Sequence, residues 1–232
     1  MKTIGIIPSR YASTRFPGKP LVEIEGKTMI RRVYEQATKA KLLSDVIVAT
    51  DDKRIFDEVK SFGGNVVMTS SSHTNGTERC AEVAAVANAD VIINIQGDEP
   101  FIQPLQINLL ANCFEDNTTQ IATLIRNFKN EEEIENPSRV KAFVDKNLDA
   151  LLFSRSSYNV ELSITAYQLF KHIGIYGYRK NVLFEIVKLL PSSLELKESL
   201  EQLRWLQNGY KIKCAITEHE SISVDTPEDL HF

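Results

Sequence analysis

The chain has 232 residues, and 27 Lys and Arg against 31 Asp and Glu leave a formal net charge of −4 at pH 7. With 43% hydrophobic and 25% charged residues it is balanced like a soluble globular protein, and its mild acidity excludes a general affinity for nucleic acid, so any bound anion must meet a local cluster of cations. No apolar run approaches the ~20 residues of a membrane helix, and residues 1–8 lack the small-residue cleavage site of a signal peptide, so a cytoplasmic chain without a membrane partner is expected.

Residues 3–8 form the first of several short runs rich in Ile and Val. Helical periodicity follows over 28–40, with Met29, Ile30, Val33 and Ala37 on one face, then a strand at 45–49 and a helix at 53–62. After Gly63-Gly64 a strand is expected at 65–69, then a helix at 77–87, a strand at 91–95 and a helix at 104–114. This alternation is the βαβ signature of a doubly wound parallel sheet. From about residue 120 strands at 120–126, 140–144, 150–154 and 173–179 follow with little helix between them, which predicts a mixed sheet. Helices at 181–190 and 197–208 and strands at 211–217 and 221–225 close the chain. Repeats and a Gly-, Pro- or Ser-rich linker are absent, which favours one domain over residues 1–232. Cys80, Cys113 and Cys214 are widely spaced within apolar runs, as expected of buried thiols in a reducing compartment.

The eleven residues after Pro8 hold Arg10, Arg15 and Lys19 and no acid. Placed beyond the carboxyl end of the first strand, where open α/β sheets bind ligands, such a loop faces an anion or is a solvated basic turn. It is neither GxGxxG nor a Walker A sequence, since Gly18 is its only glycine. The strand at 91–95 runs into Gln96-Gly97-Asp98-Glu99-Pro100. Gly97 permits close backbone approach, and Asp98 and Glu99 offer the hard oxygens that Mg²⁺ takes alongside substrate phosphates; a helix cap at Asp98 is the structural alternative. Residues 70–79, including Asn75, Gly76 and Arg79, read equally as a helix cap and as a polar rim around a nucleotide.

Four segments carry a resemblance: residues 10–21 (Arg10-Tyr11-Ala12-Ser13-Thr14-Arg15-Phe16-Pro17-Gly18-Lys19-Pro20-Leu21), 96–100, 172–178 (His172-Ile173-Gly174-Ile175-Tyr176-Gly177-Tyr178) and 224–230 (Val224-Asp225-Thr226-Pro227-Glu228-Asp229-Leu230). Together they resemble the CMP-Kdo synthetases, the 3-deoxy-manno-octulosonate cytidylyltransferases of Gram-negative bacteria. The resemblance implies a Rossmann-like nucleotidyltransferase fold, an α/β architecture with a predominantly parallel, mixed central sheet flanked by helices. The implied reaction joins CTP and Kdo to give CMP-Kdo and pyrophosphate, with Mg²⁺, for lipopolysaccharide biosynthesis. Residues 1–118 would be the nucleotide-binding half, and 119–232 the sugar-binding half and the source of a homodimer contact.

Carried over by residue, the resemblance puts Arg10, Arg15 and Lys19 on the CTP phosphates, with Asn75, Gly76, Arg79 and Gln96 also on the nucleotide side. It puts Asp98 and Asp225 on the metal, and these five charged residues, Arg10, Arg15, Lys19, Asp98 and Asp225, carry catalysis. Gln96, Arg155, His172, Tyr176, Glu201 and Gln202 would hold the sugar acid, with the Arg155 fork matching its carboxylate. Asn75 stands where the family usually has serine, and segment 156–170 is shorter than in the family, with Ser156-Ser157-Tyr158 after Arg155 in place of Ile-Pro. Two other readings stay open: CMP transfer to another sugar acid, such as 8-amino-Kdo or a nonulosonate, and a non-catalytic nucleotide-binding module.

Overall fold

Strand β1 (Thr3–Ser9) is buried along nearly its whole length, as a strand covered on both faces must be. It is flanked in parallel by β4 (Asp45–Thr50) and β6 (Val91–Asn94), and β5 (Val66–Met68) adds in parallel to β4. The resulting order β5-β4-β1-β6 reverses at β1, which opens a crevice beyond the carboxyl ends of β1 and β6. A short hairpin, β2 (Glu23–Ile24) and β3 (Lys27–Thr28), leads into helix α1 (Met29–Ala37). Helices α2 (Lys53–Ser61), α3 (Gly76–Val86) and α4 (Pro104–Asn112) complete the crossovers. Thr28, Asp52 and Asn75 cap α1, α2 and α3 by accepting from backbone N–H groups, so each helix starts where its cap side chain stands.

The computed structural model describes residues 1–12, 16–156, 167–220 and 223–230. They fall into two compact units, Met1–Ala111 with Ser221–Phe232, and Asn112–Glu220. The last segment thus goes with the first unit. Val224 is fully buried beside Ile24 and Met29, with Phe16, Phe101 and Leu230 packed around them. The strand expected at 221–225 does not form over the described residues 223–225, because the Val224 amide bonds the carbonyl of Asp98 at 2.9 Å, in a turn, rather than a strand ladder.

In the second unit β11 (Ile212–Ile216) runs parallel to β7 (Ile121–Arg126), and β10 (Gln168–Arg179), β8 (Lys141–Val144) and β9 (Ala150–Ser154) follow antiparallel, in the order β11-β7-β10-β8-β9. β10 begins at Gln168 rather than at 173, since Gln168–Lys171 pairs with β8 while the remainder pairs with β7 across a register shift between Ile173 and Tyr176. Helix α5 (Glu131–Glu135) was outside the expectation; it buries no residue, so no apolar period announces it, and its Asn130 cap is the sole signal. After α6 (Lys180–Ile186) the helix expected at 197–208 is two: α7 (Ser193–Glu198) and α8 (Gln202–Gln207), interrupted where Ser199 turns to φ 53.

The cysteines are free thiols. Cys80 and Cys214 are buried, and burial pushes the Cys113 thiol up to about 11 and that of Cys214 further.

Candidate active site

In the first unit the crevice at the ends of β1 and β6 is a cleft of about 230 Å³, lined by Pro8, Ser9, Arg10 and Lys19 from one side and Asn75, Gly76, Arg79, Gln96, Gly97 and Asp98 from the other. The basic loop leaves β1 and returns on itself, with the Gly18 amide donating to the Tyr11 carbonyl at 2.9 Å. Gly18 has φ 73, and the Tyr11 ring lies 3.1 Å from where a Cβ would stand, so both conformation and space require glycine there. At Gly97 a Cβ would sit 3.0 Å from Ser9 Oγ and 3.1 Å from the Pro8 carbonyl; glycine lets the turn after β6 lie against the end of β1. Arg10 is exposed at this cleft, and Arg15 lies outside the described residues.

Lys19 occupies the centre. Its ammonium is 2.9 Å from Asp98 Oδ2, 3.0 Å from the Val224 carbonyl and 3.5 Å from Asp225 Oδ1. The two carboxylate oxygens are therefore within about 6.4 Å of each other, inside the reach of a metal pair ~4 Å apart with ligand bonds of ~2.1 Å. Residues 127 positions apart in sequence meet because the Val224 side chain plugs the first unit's core and delivers its neighbour to the cleft. Among the described residues no group of three or more His, Cys, Asp or Glu is arranged around a metal position. Two carboxylates beside a substrate cleft suit Mg²⁺, which keeps waters and takes substrate phosphates, and do not suit zinc or calcium cages.

The remaining residues expected on the nucleotide side have structural duties. Asn75 Oδ1 accepts from the Glu78 amide at 2.8 Å, and Asn75 Nδ2 donates to Glu78 Oε1 at 3.0 Å, so the cap reading holds for this side chain. Arg79 is 3% exposed and donates to Asp51 Oδ2 at 3.0 Å and to the Thr69 hydroxyl. Glu99 is buried.

Of the residues expected on the sugar side, His172 and Tyr176 lie on β10, Glu201 and Gln202 at the start of α8, and Arg155 just after β9. His172 Nε2 is 3.0 Å from Thr123 Oγ1, whose single proton is claimed by the carbonyls of Ile175 at 2.8 Å and Ile173 at 3.2 Å. Thr123 therefore accepts from His172, which assigns the proton to Nε2 and leaves Nδ1 a lone pair. Burial holds the His172 pKa down to about 3, so the ring is neutral. Its ring packs against Phe153 and Tyr176, with centroids 4.9 and 5.4 Å away. The Tyr176 hydroxyl is pushed well above the usual range by burial, then by the charges of Tyr178, Cys214 and Glu201. Trp205 stands edge-on to Tyr176 at 5.1 Å, and Gln202, on the same helix, is 4% exposed. Arg155 donates from its amide to Glu198 Oε2 and from Nε to the Glu198 carbonyl, both at 2.9 Å. The shortened segment after Ser156 lies outside the described residues from 157 to 166.

A family model described as cytidylyltransferase matches residues 4–212. A 3-deoxy-manno-octulosonate cytidylyltransferase of Bacteroides thetaiotaomicron is 55% identical over 241 residues, covering 99% of this chain and 96% of its own. This chain belongs to the cytidylyltransferase family. A relative of the same description from Fusobacterium nucleatum is 53% identical, over 99% of this chain and 94% of its own. A solved structure described as CMP:2-keto-3-deoxy-manno-octonic acid synthetase complexed with CTP superposes with a TM-score of 0.91 at 42% identity, covering 99% of this chain and 95% of that one. A Leptospira borgpetersenii cytidylyltransferase, at 19% identity and a TM-score of 0.66, shares the fold. The α/β nucleotidyltransferase fold with parallel and antiparallel strands flanked by helices is that of the family.

Sequence reasoning passed over two residues of this cytidylyltransferase. Asp229 Oδ2 accepts from the amides of Asp225 at 2.9 Å and Thr226 at 2.8 Å and from the Thr226 hydroxyl at 3.1 Å, and the two amides hold its carboxyl below the usual range. It pins the backbone that presents Asp225. The Thr226-x-x-Asp229 spacing, a capping-box pattern, was the available signal. The other is Glu198, the clamp on Arg155, which carries no such pattern.

Proposed function

We propose that this protein transfers CMP from CTP to the sugar acid 3-deoxy-manno-octulosonate, releasing pyrophosphate, and so activates the sugar for lipopolysaccharide assembly. The observation that carries the reading is the convergence of Asp98 and Asp225 on Lys19 in a cleft whose other walls are the basic loop and the turn after β6. Simple nucleotide binding would not need both carboxylates together there. The whole-length likeness to relatives named for this activity supports the substrate pair.

In this reading Arg10, Arg15 and Lys19 bind the triphosphate and take up charge on its departing β- and γ-phosphates. Asn75, Gly76 and Arg79 frame the nucleoside, and Gln96 faces both substrates. Asp98 and Asp225 hold Mg²⁺, which when bound supplies Lewis-acid charge at the α-phosphate and lowers the pKa of the attacking hydroxyl. The guanidinium of Arg155 takes the sugar's carboxylate, while His172, through its Nδ1 lone pair, and Tyr176, Glu201 and Gln202 fix its hydroxyls. The sugar 2-hydroxyl then attacks the α-phosphorus in line with the leaving pyrophosphate, and the protein's part is alignment rather than covalent chemistry. The enzyme works in the cytoplasm as a homodimer.

Pyrophosphate release from CTP and Mg²⁺ with a panel of sugar acids tests this. Turnover with Kdo, exceeding that with 8-amino-Kdo and nonulosonates, is expected. Preference for one of the others would reassign the sugar, and pyrophosphate release with none of them would leave a nucleotide-binding module.

A further inference from the structure

Lys141 is fully buried, 0% exposed, yet no carboxylate pairs with it among the described residues. Among the described residues its ammonium donates to main-chain oxygens, that of Asn136 at 2.7 Å and that of Arg155 at 2.8 Å. A buried cation without an acid is costly, and an apolar side chain of the same length would fill the space more cheaply. Burial and the neighbouring Arg155 charge push its pKa down, as that cost requires.

The surroundings sharpen the point. Lys141 on β8 stands opposite Lys171 on β10, which stands opposite Arg126 on β7, and all three are buried. Two carboxylates serve this row: Glu133, 2.6 Å from Lys171 and 3.1 Å from Arg126, and Glu220, 3.2 and 3.8 Å from the same two cations. Neither has an ion pair with Lys141 or Arg155. The row is thus neutralised at one end, while at the other, among the described residues, Lys141 and Arg155 stand with the single carboxylate of Glu198, which accepts from the Arg155 amide, and positive charge is left in excess there. Arg155 itself is held at its carbonyl by Lys141, and at its amide and Nε by Glu198. Nη1 has a long 3.5 Å contact with the Pro137 carbonyl, and the guanidinium forms no ion pair among the described residues.

We infer that Lys141 is a positioning residue: it fixes the main chain of Arg155 and, with its own unneutralised charge, makes that corner select a sugar bearing a carboxylate. The inference rests on the proposed placement of the sugar acid's carboxylate at Arg155. It assigns to Lys141 a part in substrate choice without contact with the substrate.

The test is steady-state pyrophosphate release by Lys141→Met, which removes charge and both hydrogen bonds, and by Lys141→Gln, which keeps an amide donor. The KM for Kdo should rise about tenfold or more in Lys141→Met and less in Lys141→Gln, while the KM for CTP stays within about twofold. An unchanged Kdo KM in both variants overturns the inference. So does an equal rise for both substrates, or loss of CTP binding in both variants, since either assigns Lys141 to the stability of the core. A parent enzyme that turns over a different sugar acid overturns the substrate reading alone, and the same comparison is then made with that acid.

Discussion

Lys19 serves two carboxylates and a carbonyl at once, so each member of the group depends on the others. In Asp98→Asn or Asp225→Asn the volume is kept and a charge lost; under the proposed function turnover should collapse, whereas CTP, which that reading places chiefly on the loop cations, should still titrate measurably. Glu99→Gln, a change at the buried residue next to Asp98, should be milder. Pyrophosphate release and CTP titration on the three variants check the ranking, and full turnover in either Asp variant would remove that residue from the proposed Mg²⁺ site. Asp229 separates support from ligation. Asp229→Ala loses an acceptor shared by two amides and a hydroxyl and should raise the Mg²⁺ concentration needed for half-maximal rate, with a melting temperature lowered by an unmade cap worth ~1 kcal/mol. Asp229→Asn keeps a carbonyl oxygen in place and should recover most of both.

At the scale of elements, the break between α7 and α8 decides where the second unit's site residues stand. Glu198 ends one helix to clamp Arg155, and Glu201 and Gln202 open the next, with Ser199 turning the chain between them. Ser199 makes the break in the left-handed region, exposed and at φ 53, a conformation costing a non-glycine residue roughly 1 kcal/mol. Ser199→Gly should raise the melting temperature by a degree or two, on the order of 0.5 kcal/mol, with the Kdo KM unchanged; a fall would mean that the serine side chain has a bond worth more than the strain. β10 carries the other half of that site. The register shift between Ile173 and Tyr176 brings the Ile173 and Ile175 carbonyls to one Thr123 hydroxyl, and this sets the His172 tautomer.

For the whole molecule, acid acts on several carboxylates that the fold holds below their usual range, Glu35, Glu220 and Asp229 among them, and most strongly through His172 and Glu133. His172 is neutral when folded, with its pKa held by burial down to about 3, and recovers an ordinary value of ~6.5 on unfolding, so the unfolded chain binds the extra proton and stability falls as pH drops from 6.5 towards 3. Burial works to raise the Glu133 carboxyl, but hydrogen bonds from Lys171 and the Lys129 amide, with the charges of Lys171 and Arg126, outweigh it and hold it to about 2. Its contribution is present above the unfolded value near 4.5 and is lost as pH falls through 2. Denaturation midpoints measured across pH 3–8 should therefore begin to decline between pH 6.5 and 4.5, before the carboxylates titrate, and His172→Asn should remove that early decline; a midpoint flat between pH 6.5 and 4.5 would contradict the neutral imidazole. The first unit was legible in the sequence because its central strands β1 and β6 are buried on both faces and its helices carry apolar stripes, as in Met29, Ile30, Val33 and Ala37. The loop cations and Asp98 were readable from position at strand ends, and Asp225 from resemblance. What hid were features made by long-range pairing: the early start of β10, the tail plugged by Val224, and a buried lysine bonded to carbonyls, which in sequence looks like any lysine.

The thiols offer a use that follows from their placement. Cys80 lies buried in the first unit, Cys214 in the second, with a thiolate that burial disfavours strongly. An alkylating reagent at pH 8 must wait for each unit to open, so the separate labelling rates of Cys80 and Cys214, followed by mass spectrometry, are two clocks for local opening. Saturating CTP should slow the first clock and leave the second running at nearly its original rate.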